Sequence, residues 1–200
     1  MRRRSGWRTI ALLTIVLLIW CGSAQADDVI DSINEALEAY NAGKFGDAVG
    51  SLNYAAQLIG QKKGGQLVDL LPEPLDGWTA EEAESQAMGA AMFGGGVSAG
   101  RRYVKENASV EVQIVTDSPL MQGMMVMFTN PAFAASDGGK LEKIKGQKAI
   151  VKYSEADRQG SINIMVANRF LVIFEGADVT RDELTAYAQV FDYGKLAAMP

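Results

Sequence analysis

Between residues 67 and 78 the chain reads LVDLLPEPLDGW, and its apolar residues are spaced differently on the two sides of this stretch. Pro72 and Pro74 each lack a backbone donor and hold φ near one value, so neither a helix nor a central strand runs through them. Asp76-Gly77 adds a turn signal. Before this point apolar residues recur every three or four positions; after it they alternate. Such a chain folds as a helical part followed by a sheet part, with residues 27–65 and 79–200 as the two units and 66–78 as linker.

In the helical part, Ile30, Ile33, Leu37 and Tyr40 fall at helical spacing, and acids stand near the start, where they suit the helix dipole. A second run follows in Phe45, Val49, Leu52, Ala55, Ala56 and Ile59. Lys62 and Lys63 before Gly64 and Gly65 predict its end. The join, AYNAGKFGDAVGSLNYAAQLI, resembles one tetratricopeptide-type helical hairpin over about residues 31–62. Gly43 stands at the turn glycine of that family, Phe45 at the aromatic of the second helix, and Ala48 and Ala55 at the small positions that let two helices approach. The resemblance implies close contact at Gly43 and Ala48. The sequence holds no second copy, and such hairpins bury their faces on stacked neighbours. This one therefore has to pack on the rest of the chain or on a partner.

In the second part, SAGRRYVKE and SVEVQIVTD alternate, and Val110, Val112 and Ile114 share a face. KLEKIKGQKAIVKYSE, GSINIMVAN and RFLVIFEG continue the pattern, with a tight hairpin predicted at Asn168-Arg169. TRDELTAYAQVFDYGKLAAM reads as one closing helix. Thr180 with Glu183 forms its capping box, and Leu184, Tyr187, Ala188 and Phe191 form its buried stripe. Trp78 is expected to anchor the start of this domain in the core. About three strands, a helix, about four strands and a helix make an α+β class: a helical hairpin, then an antiparallel sheet domain with covering helices.

The chain opens with three arginines (Arg2, Arg3, Arg4), an apolar run from Ile10 to Trp20, and Ala24-Gln25-Ala26. This order predicts a signal peptide cleaved after Ala26 and export, in a bacterium to the periplasm. Trp20 before Cys21 departs from the small residue that lipoprotein processing needs, which argues against a lipid anchor. No other apolar run is long enough to span a bilayer. Residues 1–26 carry four arginines and no acid, so the remaining chain has 15 basic and 24 acidic side chains, net −9. Without a basic cluster, nucleic acid is not an expected partner; another envelope protein is.

The chain has no histidine, and its one cysteine falls in the signal segment. Serine–histidine and cysteine–histidine catalysis and histidine-containing zinc sites are thereby excluded. No catalytic motif and no cofactor site is predicted, and paired acids such as Glu81-Glu82 read as solvated faces. FGGGVSAG (residues 93–100) lacks the spacing of a phosphate loop and reads as a mobile loop or strand connection. Beside it, Arg101 and Arg102 are candidates for holding an anion or a partner.

SPLMQGMMVMFTNP (residues 118–131) predicts a helix capped by Asp117 or Ser118, started by Pro119 and ended at Asn130-Pro131. Leu120, Met124 and Met127 form one row; Met121, Met125 and Phe128 form the next. Three roles suit methionines so placed: adaptable core filler, a partner or ligand groove, and soft thioether ligands for copper(I). The first is expected for Met124 and Met127, the groove for Met121 and Met125. As metal candidates the set is Met121, Met124, Met125 and Met127, with Met88 and Met92 as possible additions. The expected role is a noncatalytic binding or assembly module; the alternative is a carrier of a small apolar ligand or copper(I).

Overall fold

The computed structural model describes residues 27–87, 96–118, 120–130, 135 and 138–200. The expected signal segment, Met88, Met92, residues 93–95, Pro119 and Pro131 lie outside the described residues, as does the side chain of Leu120. Helices α1 (Asp28–Asn41) and α2 (Phe45–Val68) form the hairpin. Strands β1 (Thr79–Ala80), β2 (Glu84–Ala87), β3 (Val97–Lys105) and β4 (Ala108–Thr116) precede helix α3 (Leu120–Thr129). Strands β5 (Lys140–Ile144), β6 (Gln147–Ser154), β7 (Gln159–Val166) and β8 (Phe170–Ala177) follow, then α4 (Arg181–Val190) and α5 (Tyr193–Ala197). The arrangement is α+β, and the strands form one antiparallel sheet in the order β1-β3-β4-β8-β7-β6-β5, with β2 also on β3.

The hairpin turn rests on Gly43, whose φ of +74° suits a residue without a Cβ. The Lys44 N–H donates to the Ala39 carbonyl at 2.9 Å, wrapping the end of α1. A Cβ on Gly43 would meet nothing within 4 Å, so its role is conformational and not the close contact expected there. The close approach is made instead by buried Val29, Ser32 and Ala36 of α1 against Ala48 and Ala55 of α2.

Helix α2 does not stop at Gly64-Gly65 as the lysines and glycines predict. It runs to Val68, because Gly64 is a packing position: a Cβ there would lie 2.9 Å from the Ser85 Cβ on β2. Its last turn, Leu67 and the following Leu71 then enter the core, so the expected linker begins as helix.

One sheet face carries Val110, Val112, Ile114, Ile162, Ile164, Phe170, Val172 and Phe174. All are buried beneath Leu67, Leu184, Tyr187, Ala188, Phe191 and Leu196. Trp78 joins this core as expected, edge-on to Tyr187 at 5.4 Å. The predicted capping box is present: the Thr180 N–H donates to Glu183 Oε2 at 2.9 Å, and the Glu183 N–H donates to Thr180 Oγ1 at 3.2 Å. The closing segment is two helices and not one, since Phe191 leaves the helical conformation (ψ 138°) to fill the core and Asp192 caps α5. The turn between β7 and β8 has Ala167 and Asn168 at positive φ, one residue earlier than the Asn168-Arg169 pair predicted for it.

Candidate functional site

Three surfaces follow from this frame. The first is on the hairpin. Ile30, Ile33 and Leu37 each sit one position after an α1 contact residue, Tyr40 continues their stripe, and Val49 and Ala56 stand likewise to Ala48 and Ala55 on α2. One position is a rotation of about 100°. In two antiparallel helices, equal rotations from the shared seam carry both stripes to the same side of the pair. The Tyr40 and Phe45 rings meet at the tip, centroids 5.6 Å apart, and join the stripes. The result is one apolar face of Ile30, Ile33, Leu37, Tyr40, Phe45, Val49, Leu52 and Ile59, each 40–62% exposed. Asp28, Asp31, Glu35 and Glu38 are rotated to the other side of α1.

This face is uncovered because the sheet domain takes a different part of α2. A Cβ on Gly60 would come 2.7 Å from the Ala87 Cβ, and one on Gly64 would strike Ser85, so the docking surface lies at the base of the helix. The arm beyond it projects. No charged residue is among the eight that form the face.

The second surface is the methionine helix, which lies over one end of the other sheet face. Met121 and Phe128 are buried with Val115, Ile150, Met165 and Leu171, and Met124 and Met127 pack against them partly buried. Met121 thus belongs to the core and not to a groove: its row turns toward Ile150 and Leu171, leaving Met125, 37% exposed, as the residue of that pair facing water. Met124 and Met127 join the apolar cluster as filler, as their row predicts, but at its margin. Of the two capping candidates, Asp117 stands at φ 56° with its carboxylate paired to Lys63 of α2, while the Ser118 carbonyl accepts from the Met121 N–H at 3.0 Å.

The third is the rest of that sheet face, a groove of about 660 Å³ lined by Arg102, Glu111, Lys152, Ser161 and Glu175 among others. Strand register sets these five in one line: Arg102 opposite Glu111, Glu111 opposite Glu175, Glu175 opposite Ser161, and Ser161 opposite Lys152. Arg102 Nη2 donates to Ser109 Oγ at 3.1 Å. The row carries two charges of each sign and balances itself, a solvated polar face. Arg101 is on the opposite face, beside Tyr103, and its Nε is buried without a hydrogen-bond partner. The two arginines alternate with the strand, and both border a second groove beside Glu81, Glu82 and Glu84.

Among the described residues, no cluster of three or more acids stands ready to hold a metal ion, and no helix is long and apolar enough to cross a membrane. Neither family models, nor curated proteins, nor solved structures give a match to this chain.

The hairpin face was partly legible in sequence. Two apolar stripes each shifted by one position from small residues mark surfaces that cannot lie between the helices. That both stripes face one way, and that the sheet leaves them bare, required the packing.

Proposed function

We propose that this protein is an exported, noncatalytic binding or assembly module of the cell envelope that acts through protein–protein contact at the apolar face of its helical hairpin. The observation that carries this reading is the size and continuity of that face. Eight large apolar side chains from two helices, each 40–62% exposed, form one contiguous apolar patch of a kind that marks an interaction surface. A helix pair with one bare face is the element that takes up a further helix or a second pair. The tetratricopeptide-like join supports the same reading, since a single hairpin needs a neighbour. Export rests on the basic, apolar and Ala-x-Ala order of residues 1–26.

The experiment is crosslinking in intact cells with the wild type and with Leu37→Asp and Val49→Asp. Both side chains are well exposed, so the variants should keep the wild-type melting temperature while losing the crosslinked species. An identical set of crosslinks from all three proteins would remove the proposal.

The carrier reading draws on Met124, Met125 and Met127, which remain partly or fully accessible at the rim of the second apolar cluster. Copper(I) titration against a chromophoric competitor tests it. Met125→Leu, which keeps the volume and loses the sulfur, should then abolish uptake.

A further inference from the structure

We infer that the occupant of the hairpin's apolar face is the same face of a second copy of this chain, paired about a two-fold axis into a four-helix bundle. The inference rests on the reading of that face as a contact surface and adds the partner.

Three observations lead to it. First, the face is two helices wide, with eight large apolar side chains each 40–62% exposed. A single added helix would cover only part of a face two helices wide, whereas an equal hairpin covers both.

Second, the eight residues of the face carry no charge, and Lys63, which continues the α2 stripe past Ile59, is already paired with Asp117. Continuing around each helix from the apolar stripe, the next positions are Asn34 and Asn41 on α1 and Gly46 and Asn53 on α2. An asparagine amide carries donors and an acceptor together, so amide rims complement themselves across a two-fold axis. The acids of α1 lie around the back, which lets two copies of an acidic chain meet without apposing carboxylates. An acidic rim would have called for a basic partner and repelled a second copy.

Third, the centre of the face suits an isologous contact. Tyr40 and Phe45 form an aromatic group at the tip, while Ile30 and Ile59 form an aliphatic group at the base. Arranged antiparallel, tip against base, each copy supplies what the other lacks. Helix pairs ordinarily bury their outer faces on other helix pairs, and the described chain has one. Two-fold homodimers are the commonest closed solution to such a surface.

The test is sedimentation equilibrium of the purified protein, as the cell processes it, over a range up to roughly 100 μM, which spans interfaces of this class. The wild type should show a concentration-dependent mass of twice the chain. Leu37→Asp and Val49→Asp should each raise the dissociation constant about 30-fold or more, as central apolar positions do. Tyr54→Asp, an equally exposed position on the opposite side of α2, should leave it unchanged. Circular dichroism and melting confirm that each variant folds. A dimer that survives both face variants would overturn the inference, since it would use another surface. A wild-type monomer throughout the range would also overturn it. If that monomer still yields crosslinks in cells that Leu37→Asp removes, the contact reading survives with a different partner. If the crosslinks are also insensitive to Leu37→Asp, both fall together.

Discussion

Gly64 of α2 faces Ser85 of β2 so closely that a Cβ on the glycine would lie 2.9 Å from both the Ser85 Cβ and Oγ. The next residue, Gly65, is also helical and would meet nothing within 4 Å. Two adjacent glycines thus have opposite roles, one admitting a strand and the other only weakening a helix. Gly64→Ala should force α2 off the sheet edge and lower stability by about 1–3 kcal/mol, as overpacking does. Gly65→Ala should raise it by about 0.5–1 kcal/mol through helix propensity. Denaturant midpoints measure both; a shared sign for the pair would refute the docking geometry.

Ala48 is buried in the α1–α2 seam, opposite a stretch of α1 whose contact residues are small. Ala48→Leu should cost about 1–3 kcal/mol. Coincident unfolding curves for mutant and wild type would show that the helices do not pack as closely as the buried alanines require.

Met121 is 7% exposed and fills the second apolar cluster, whereas Met125 is at its edge. Met121→Ala should lower stability by roughly 2–5 kcal/mol, and Met121→Leu by less than about 1.5 kcal/mol. Met125→Ala should change little. Calorimetric melting of the three variants checks this, and a neutral Met121→Ala would return Met121 to the surface.

The Glu183 carboxyl is held below the usual carboxylate range, first by the Thr180 backbone N–H and then by the Lys105 ammonium. A folded pKa below the unfolded one means that this stabilisation is present above about pH 4.3 and is lost as pH falls through the folded value. Glu183→Gln should therefore flatten the acid limb of a stability–pH curve. Thr180→Ala should cost about 1 kcal/mol near neutrality. Identical acid limbs for Glu183→Gln and wild type would contradict the assignment.

Burial pushes the Tyr103 hydroxyl up to about 12, opposed by the Arg101 charge beside it, and it donates to the Pro72 carbonyl at 2.5 Å. Its proton is held more tightly folded than unfolded, so the contribution is intact below about pH 10. It disappears as pH rises through the folded value of about 12. Tyr103→Phe should destabilise at pH 7 and lessen the alkaline loss, read from urea midpoints at pH 7 and pH 11. An alkaline loss as steep in Tyr103→Phe as in the wild type would assign it to other tyrosines.

Local signals determined much of this protein. Alternation at Val110, Val112 and Ile114 placed a strand with one buried face, and the Thr180–Glu183 pair marked a helix start, because period and capping act over a few residues. Ala48 and Ala55, expected at the helix contact from the tetratricopeptide-like resemblance, are buried residues of α2. Tertiary structure decided the rest. Gly64 resembles a helix stop in isolation, and only the nearness of Ser85, distant in sequence, makes it a packing position. Met121 and Met125 share a row on α3, yet Met121 packs with Val115, Ile150, Met165 and Leu171 while Met125 is left to water. The two apolar stripes of the hairpin became one bare face because α2 gives its base, at Gly60 and Gly64, to the sheet. Periodicity identifies which residues share a side of a helix, while the neighbour that covers that side is set by contacts between residues far apart in the chain.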